Sequence, residues 1–325
     1  MQEDILVIGA GIAGLACAQA LKAGGMNPLV VDKARGPGGR MTTRRRDGWQ
    51  ADLGAQYFTA REPAFRAQVA AWAHAGHCDR WPDQPVYLEG RRGTPVADGQ
   101  ERWVGRPRMS AITRALSAEL PLRTERRVTG LVPTDRGWVA EFADGDRSGD
   151  MPRVVVAVPA PQAAALLPEG ANTLHAALEP VRMTPCWTVI AHFPQPLALG
   201  YHAAFVRDDG PLRWIARDSD KPGRPPGETW VLHAWADWSQ DHLELPGERV
   251  AWTLLDAFAQ VTGAAHRPAG YQAHRWRYAA SARPLDAGYL LDREAGLGLC
   301  GDWCAGDRVE GAWLSGHRLG QAITG

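Results

Sequence analysis

The stretch Asp4-Ile5-Leu6-Val7-Ile8-Gly9-Ala10-Gly11-Ile12-Ala13-Gly14 is an apolar strand that runs into a Gly-x-Gly-x-x-Gly turn and then a helix. At this spacing Gly9 permits the tight turn and Gly11 lets backbone approach a pyrophosphate. Gly14 lets the helix pack closely on the strand. The pyrophosphate then faces the helix start at Ile12 and Ala13, where free N–H groups and the positive dipole end favour an anion. A second strand, Pro28-Leu29-Val30-Val31, ends at Asp32-Lys33, with the acid 23 residues beyond Gly9. A carboxylate there can accept hydrogen bonds from both ribose hydroxyls of an adenosine.

Working outward, Arg35-Gly36-Pro37-Gly38-Gly39-Arg40-Met41-Thr42-Thr43 is a second glycine-rich loop just after the acid. It offers further N–H groups and the fixed charge of Arg40 beside the same pyrophosphate. Simple nicotinamide dehydrogenases lack such a loop, so the expected dinucleotide is FAD. The far end of the chain carries Cys300-Gly301-Asp302-Trp303, then Val309-Glu310-Gly311-Ala312-Trp313-Leu314-Ser315-Gly316, an acid followed by a helix start. One large cofactor gripped from both ends of the chain accounts for both signals.

The 325 residues suffice for two domains, and an apolar content of 45% with zero formal net charge describes a globular protein. No charge imbalance favours nucleic acid or a membrane surface. The cations are almost all arginine, with lysine only at Lys22, Lys33 and Lys221. Five scattered cysteines make no disulfide framework, and Cys300 with Cys304 lacks a second pair for zinc, so no metal site is expected. The uncharged run Ile5–Leu21 follows Glu3 and Asp4, is interrupted by glycines and is short for a bilayer span. A cytoplasmic location is the default expectation.

Strand, helix and strand over 4–33 begin a parallel sheet, and the apolar Val154-Val155-Val156-Ala157-Val158 belongs buried within it. Residues 62–76 have helical spacing, and Met109–Leu120 reads as a helix with Ser110 near its start as a cap. Residues 127–132 and 138–142 form a hairpin. From about 162 to 284 the texture is strand-rich, with candidates at 187–193, 203–207, 212–217 and 229–236 and a helix near 248–261. The chain returns to a strand at 297–300 and ends in a helix from about 310. The expected fold is α/β: a Rossmann-like FAD-binding domain with an inserted sheet-rich α+β substrate domain. Residues 1–60, 98–161 and 285–325 form the first, and 61–97 with 162–284 form the second.

Several blocks together narrow the family: Gly9–Gly14, Gly38-Gly39-Arg40, Asp52-Leu53-Gly54-Ala55-Gln56-Tyr57-Phe58-Thr59 and Trp103-Val104-Gly105. Further along come His233-Ala234, His274-Arg275-Trp276-Arg277-Tyr278-Ala279, and Cys300-Gly301-Asp302-Trp303-Cys304 through Val309–Gly316. On these residues the chain resembles the bacterial renalases, a branch of the flavin amine oxidase superfamily. The resemblance implies non-covalent FAD between two domains. It also implies oxidation of dihydronicotinamide nucleotides reduced at ring position 2 or 6, with oxygen as final acceptor, giving NAD(P)+ and hydrogen peroxide. Carried over, Asp32 binds the adenosine ribose, Arg40 the pyrophosphate region, and Val128 the adenine side through its backbone. Asp302 meets the ribityl or pyrophosphate portion, and the helix from Val309 through Gly311 and Ala312 aims at the pyrimidine edge. Ala55 and Gln56 lie along the isoalloxazine, with Tyr57, Thr59 and Arg61 nearer the substrate.

Hydride transfer from a dihydropyridine needs no general base, because the ring aromatises without losing a proton. It needs stacking at close range and exclusion of water. Half of the 14 tryptophans fall between 187 and 276, and Trp276, within its motif, is the candidate pocket wall. His233 is the candidate to orient a carboxamide or line the flavin face. The single lysine of this half, Lys221, sits in Ser219-Asp220-Lys221-Pro222-Gly223, which reads as a turn. That weakens an amine oxidase reading, since many such enzymes hold water near the flavin with a lysine. An amine or amino-acid oxidase or a desaturase on the same scaffold, a non-catalytic flavin binder, and an NAD-only dehydrogenase are the alternatives.

Overall fold

The computed structural model describes residues 3–264 and 266–325. Its first sheet has six strands in the order Leu290–Asp292, Leu297–Leu299, Arg153–Val156, Ile5–Ile8, Pro28–Val31, Leu122–Arg123. All neighbours run parallel except the edge strand Leu290–Asp292. The central strand Ile5–Ile8 is buried on both faces, which is why it carries no polar residue. Ile5 and Val7 enter one core with the first and last helices. Leu6 and Ile8 enter another with the hairpin strands Val128–Thr134 and Gly137–Phe142.

The second sheet has seven strands, ordered Gly270–Ser281, Met183–Phe193, Glu228–Ala234, Leu212–Arg217, Ala203–Val206, Val86–Glu89, Arg92–Pro95. It is antiparallel apart from the pairing of Ala203–Val206 with Val86–Glu89. One face is packed by the helix Gly247–Thr262 through Val250, Leu254 and Phe258. The opposite face meets Ala51 and Leu53 through Ile190, Val231 and Trp276. A parallel nucleotide sheet joined to a second, sheet-rich unit is the architecture expected from the sequence.

Both ends of the chain meet in the first sheet. The helices Ile12–Ala23 and Val309–Thr324 lie side by side in parallel, Ala13 touching Gly316 and Cys17 touching Gly320. A Cβ on Gly316 would lie 1.9 Å from the Ala13 carbonyl oxygen, so only glycine permits this approach. Two helix N-termini therefore point to the same side of the sheet.

Several details differ from the expectations. Ser110 is the first residue of the helix Ser110–Ser117 rather than its cap, and the helix ends before Leu120. Its start is capped from outside: Met109 N–H donates to Asp52 Oδ1 (3.0 Å) and Ser110 N–H to Thr43 Oγ1 (3.4 Å). Residues Ala160–Leu166 and Asn172–Leu178, at the start of the stretch read as strand-rich, are helices whose Ala160, Ala163, Leu174 and Leu178 pack into the core that holds the hairpin. The motif around Trp276 is one strand of twelve residues, Gly270–Ser281. Lys221 does stand at the turn read from the sequence, but it is fully buried, with Asp218 three residues before it and Asp52 from a distant strand converging on it.

Candidate functional site

The first glycine turn holds its backbone N–H groups open at the start of the first helix. Gly9 adopts φ +109°, and a Cβ on it would meet the Ala157 carbonyl oxygen at 2.6 Å. Gly14 has no room for a side chain, 2.0 Å from the Gly9 oxygen, whereas Gly11 faces open space. Leu15 N–H donates to Gly11 O, so the N–H groups of Ile12, Ala13 and Gly14 precede the first helical bond and are free for an anion. Asp32 braces the turn: its carboxylate accepts from Ala10 N–H (2.6 Å) and Ala34 N–H (2.7 Å). Lys33 is exposed beside it. Val128 opens its strand close by, and Arg126 N–H donates to Asp32 O.

The second loop folds over the first, with Gly39 against Gly11. Arg40 forms a two-pronged pair with Asp302, both contacts 2.6 Å, and donates to Ala279 O at 3.0 Å. Burial opposes the Arg40 charge, but Asp302 outweighs it and holds the guanidinium firmly protonated. The neighbouring Asp307 is pushed up to about 6 by burial and by the Asp302 charge. The last helix starts at Val309 with no side-chain cap. Ala312 N–H is spent on Arg308 O, so Val309, Glu310 and Gly311 hold the free N–H groups there.

Between these two ends runs Asp52–Arg61. The Leu53 carbonyl oxygen is reached from the second sheet by His233 Nε2 (3.2 Å) and Trp276 Nε1 (3.4 Å). A carbonyl only accepts, so His233 carries its proton on Nε2 and leaves Nδ1 as an acceptor. Burial, followed by the positive charges of Arg213 and Lys221, pushes His233 down to about 4 and keeps it neutral. Ala55 is partly exposed, and its N–H donates to Arg40 O. Gln56 is buried, donating to Asp52 O (2.6 Å) and accepting from Lys221 Nζ (3.1 Å).

Tyr57 packs against Trp214 with ring centroids 5.5 Å apart and lies beside the Arg102 guanidinium. Thr59 is partly exposed. Arg61 is exposed and bonded to Gln100, so its side chain is held away from Leu53–Gln56 by its own surface contact. Its backbone matters more: Arg61 and Glu62 N–H both donate to Glu310 Oε1 at 2.7 Å, tying this segment to the last helix.

Sequence reasoning missed the charged cluster beneath this segment. Lys221 Nζ lies 2.6 Å from Asp218 and 3.3 Å from Asp52, and Arg224 lies 2.6 Å from Asp52, all four side chains fully buried. Burial resists the Asp52 charge, yet Arg224 and Lys221 hold its carboxyl well below the usual range. Burial and the charge of Asp52 push Asp218 the other way. A lone acid closing the apolar Ala51-Asp52-Leu53 was the available signal. Among the described residues Asp83, His202 and Asp220 also come together, with ligand atoms within 4.8 Å of one another.

These residues fit a flavin dinucleotide: two helix N-termini with free N–H groups, a braced ribose-side acid, and a glycine loop folded over the turn. No helix among the described residues is long and apolar enough to cross a membrane.

Comparisons with known proteins agree. Residues 7–72 match the NAD(P)-binding Rossmann-like domain, and residues 81–324 match the flavin containing amine oxidoreductases. Among curated proteins, a hydroxyneurosporene desaturase of Rubrivivax gelatinosus is 47% identical over 57 residues, 18% of this chain and 11% of that protein. An L-amino-acid oxidase of Siganus canaliculatus is 38% identical over 66 residues, 20% of this chain and 12% of that protein. The matched stretch thus spans about a tenth of these relatives. A solved structure titled "Putative protoporphyrinogen oxidase" from Exiguobacterium sp. superimposes with TM-score 0.82 at 13% identity, over 100% of this chain and 99% of that one. A putrescine oxidase with redesigned cofactor binding gives TM-score 0.71 at 15% identity, over 99% of both chains. At these identities the two structures speak for the fold.

Proposed function

Because the chain belongs to the flavin containing amine oxidoreductase family, we propose that it is a renalase-like oxidase of 2- or 6-dihydronicotinamide nucleotides. Its products are NAD(P)+ and, with oxygen as the acceptor, hydrogen peroxide. Non-covalent FAD, when bound, supplies the hydride-accepting ring. Gly9, Gly11, Ile12, Ala13, Gly14, Asp32, Lys33, Gly39, Arg40, Val128 and Asp302 would hold its nucleotide portion, and Ala55, Gln56, Val309, Gly311 and Ala312 its ring end.

The observation that carries this reading is the wall above Leu53–Gln56. It is made of Trp276, neutral His233 and Trp214, with the half's one lysine consumed by Asp52 and Asp218. Such a wall can stack a flat ring, exclude water and offer His233 Nδ1 to a carboxamide N–H. It asks for no proton transfer, which suits a dihydropyridine that aromatises by losing hydride alone. Arg213, which has no carboxylate partner among the described residues, adds positive charge on this side and favours the electron-rich state that accepting a hydride creates.

A second reading, oxidation of an amine or amino acid, draws on the family match and on the L-amino-acid oxidase relative. Here His233 Nδ1 would be the acceptor nearest the wall. The two readings part on anaerobic bleaching of the yellow holoprotein. We expect the 2- or 6-dihydro isomers to bleach it within seconds, and putrescine and L-amino acids to leave it oxidised. Bleaching by an amine with none by either isomer would overturn the first reading.

A further inference from the structure

On the same sheet face lies a cation that the flavin site does not use. The strand Leu212–Arg217 slips its register against Glu228–Ala234: Leu212 pairs with Ala234, whereas Trp214 pairs with His233. Arg213 is the extra residue of that bulge, and bulges re-aim the side chain they carry. The next residue, Trp214, pairs directly with His233 across the strands, so the bulge sets Arg213 beside the edge of the His233–Trp276 wall. Cys186 pairs with Trp276 and follows a second bulge, after Thr184. Beyond Arg213 stands Trp235, 42% exposed, with its ring centre 5.9 Å from the guanidinium.

Four other arginines of the two halves have carboxylate partners: Arg40 has Asp302, Arg102 has Asp98, Arg217 has Glu228, and Arg224 has Asp52. Among the described residues Arg213 has no ion pair and no hydrogen bond, only the Trp235 ring. An unpaired guanidinium at the edge of an aromatic wall presents its planar donors to whatever enters, and those donors match phosphate in pairs.

We propose that Arg213 is a specificity-determining residue that binds the phosphate of the nucleotide whose ring lies on the His233–Trp276 wall, with Trp235 flanking the group beyond. This rests on the nicotinamide reading above and narrows it. The substrate class is the phosphorylated nucleotide, and the uncharged riboside is a poor ligand.

The test titrates the oxidised holoprotein with nicotinamide mononucleotide and with nicotinamide riboside, following the flavin spectrum, and with inorganic pyrophosphate by calorimetry. Wild type is compared with Arg213→Ala and Arg213→Lys, all with flavin content and thermal midpoint checked. In wild type the mononucleotide should bind about tenfold tighter than the riboside, a preference that weakens with added salt. Arg213→Ala should erase that preference while leaving riboside affinity unchanged, and Arg213→Lys should keep part of it. An unchanged preference in Arg213→Ala overturns the proposal. If neither nicotinamide compound binds but pyrophosphate binds in an Arg213-dependent way, the anion site stands and the nicotinamide assignment falls. If no probe depends on Arg213, the anion site falls as well.

Discussion

The two halves of the candidate site are built on different principles. The nucleotide half offers backbone: free N–H groups at Ile12–Gly14 and Val309–Gly311, set by glycines that admit no side chain. The sheet half offers side chains: His233 and Trp276 on Leu53 O, Arg213 on a bulge, and Lys221 beneath. A backbone site depends on where glycines fall along a short stretch, whereas a side-chain site depends on register between strands far apart in sequence. His233 and Trp276 are 43 residues apart yet converge on one carbonyl oxygen.

That difference decides what the sequence could disclose. The parallel sheet, the first helix, the FAD-type second loop and the meeting of both chain ends were legible, because each rests on local spacing. Arg40 and Asp302 were both named as cofactor-side residues, but their mutual pairing was not foreseen, because 262 residues separate them. Asp52, Asp218, Lys221 and Arg224 stayed hidden for the same reason. Each looks like an ordinary surface charge until the fold closes over all four. The bulge at Arg213 is likewise invisible, since an alternating strand pattern does not record a skipped residue.

The sharpest break is aimed at the backbone half. Gly14→Val puts carbon where the Gly9 oxygen already stands, 2.0 Å away, and that neighbour is backbone that cannot rotate aside. Overpacking costs of about 3 kcal/mol or more are expected at such a site. The variant should be recovered without yellow colour, or not recovered folded at all. A variant that retains stoichiometric flavin would show the turn to be adaptable and the contrast between the halves overstated.

A smaller effect on flavin content is expected beneath the side-chain half. Lys221→Met leaves Asp218 with Arg224 at 3.7 Å as its cation and the Asp52 N–H at 3.2 Å, inside a region closed to water. Removing one partner of a buried pair costs about 3–5 kcal/mol, whereas replacing the pair by apolar groups of similar volume is often neutral. Chemical denaturation should therefore show Lys221→Met strongly destabilised and the double variant Lys221→Met with Asp218→Leu partly restored. Flavin content at low denaturant should stay near wild type in the single variant, since no cofactor-side N–H group is disturbed. If flavin is lost before any unfolding is detected, Lys221 supports the cofactor through Gln56 more directly than its burial suggests.

The smallest effect belongs to His233, and its sign follows from linkage. With its pKa near 4 when folded and about 6.5 when unfolded, His233 binds its proton more readily in the unfolded chain. Its contribution is fully present above pH 6.5 and is lost as pH falls toward 4, amounting to roughly 3 kcal/mol across that window. Other groups titrate there too, the nearby Asp307 among them, so the informative quantity is the difference between wild type and His233→Gln at each pH. Glutamine can still donate to Leu53 O but cannot gain a charge. The gap in unfolding free energy should close between pH 6.5 and 4 and stay constant above it. A gap independent of pH would mean that His233 carries its charge comfortably, which a neutral, ring-stacking wall does not allow.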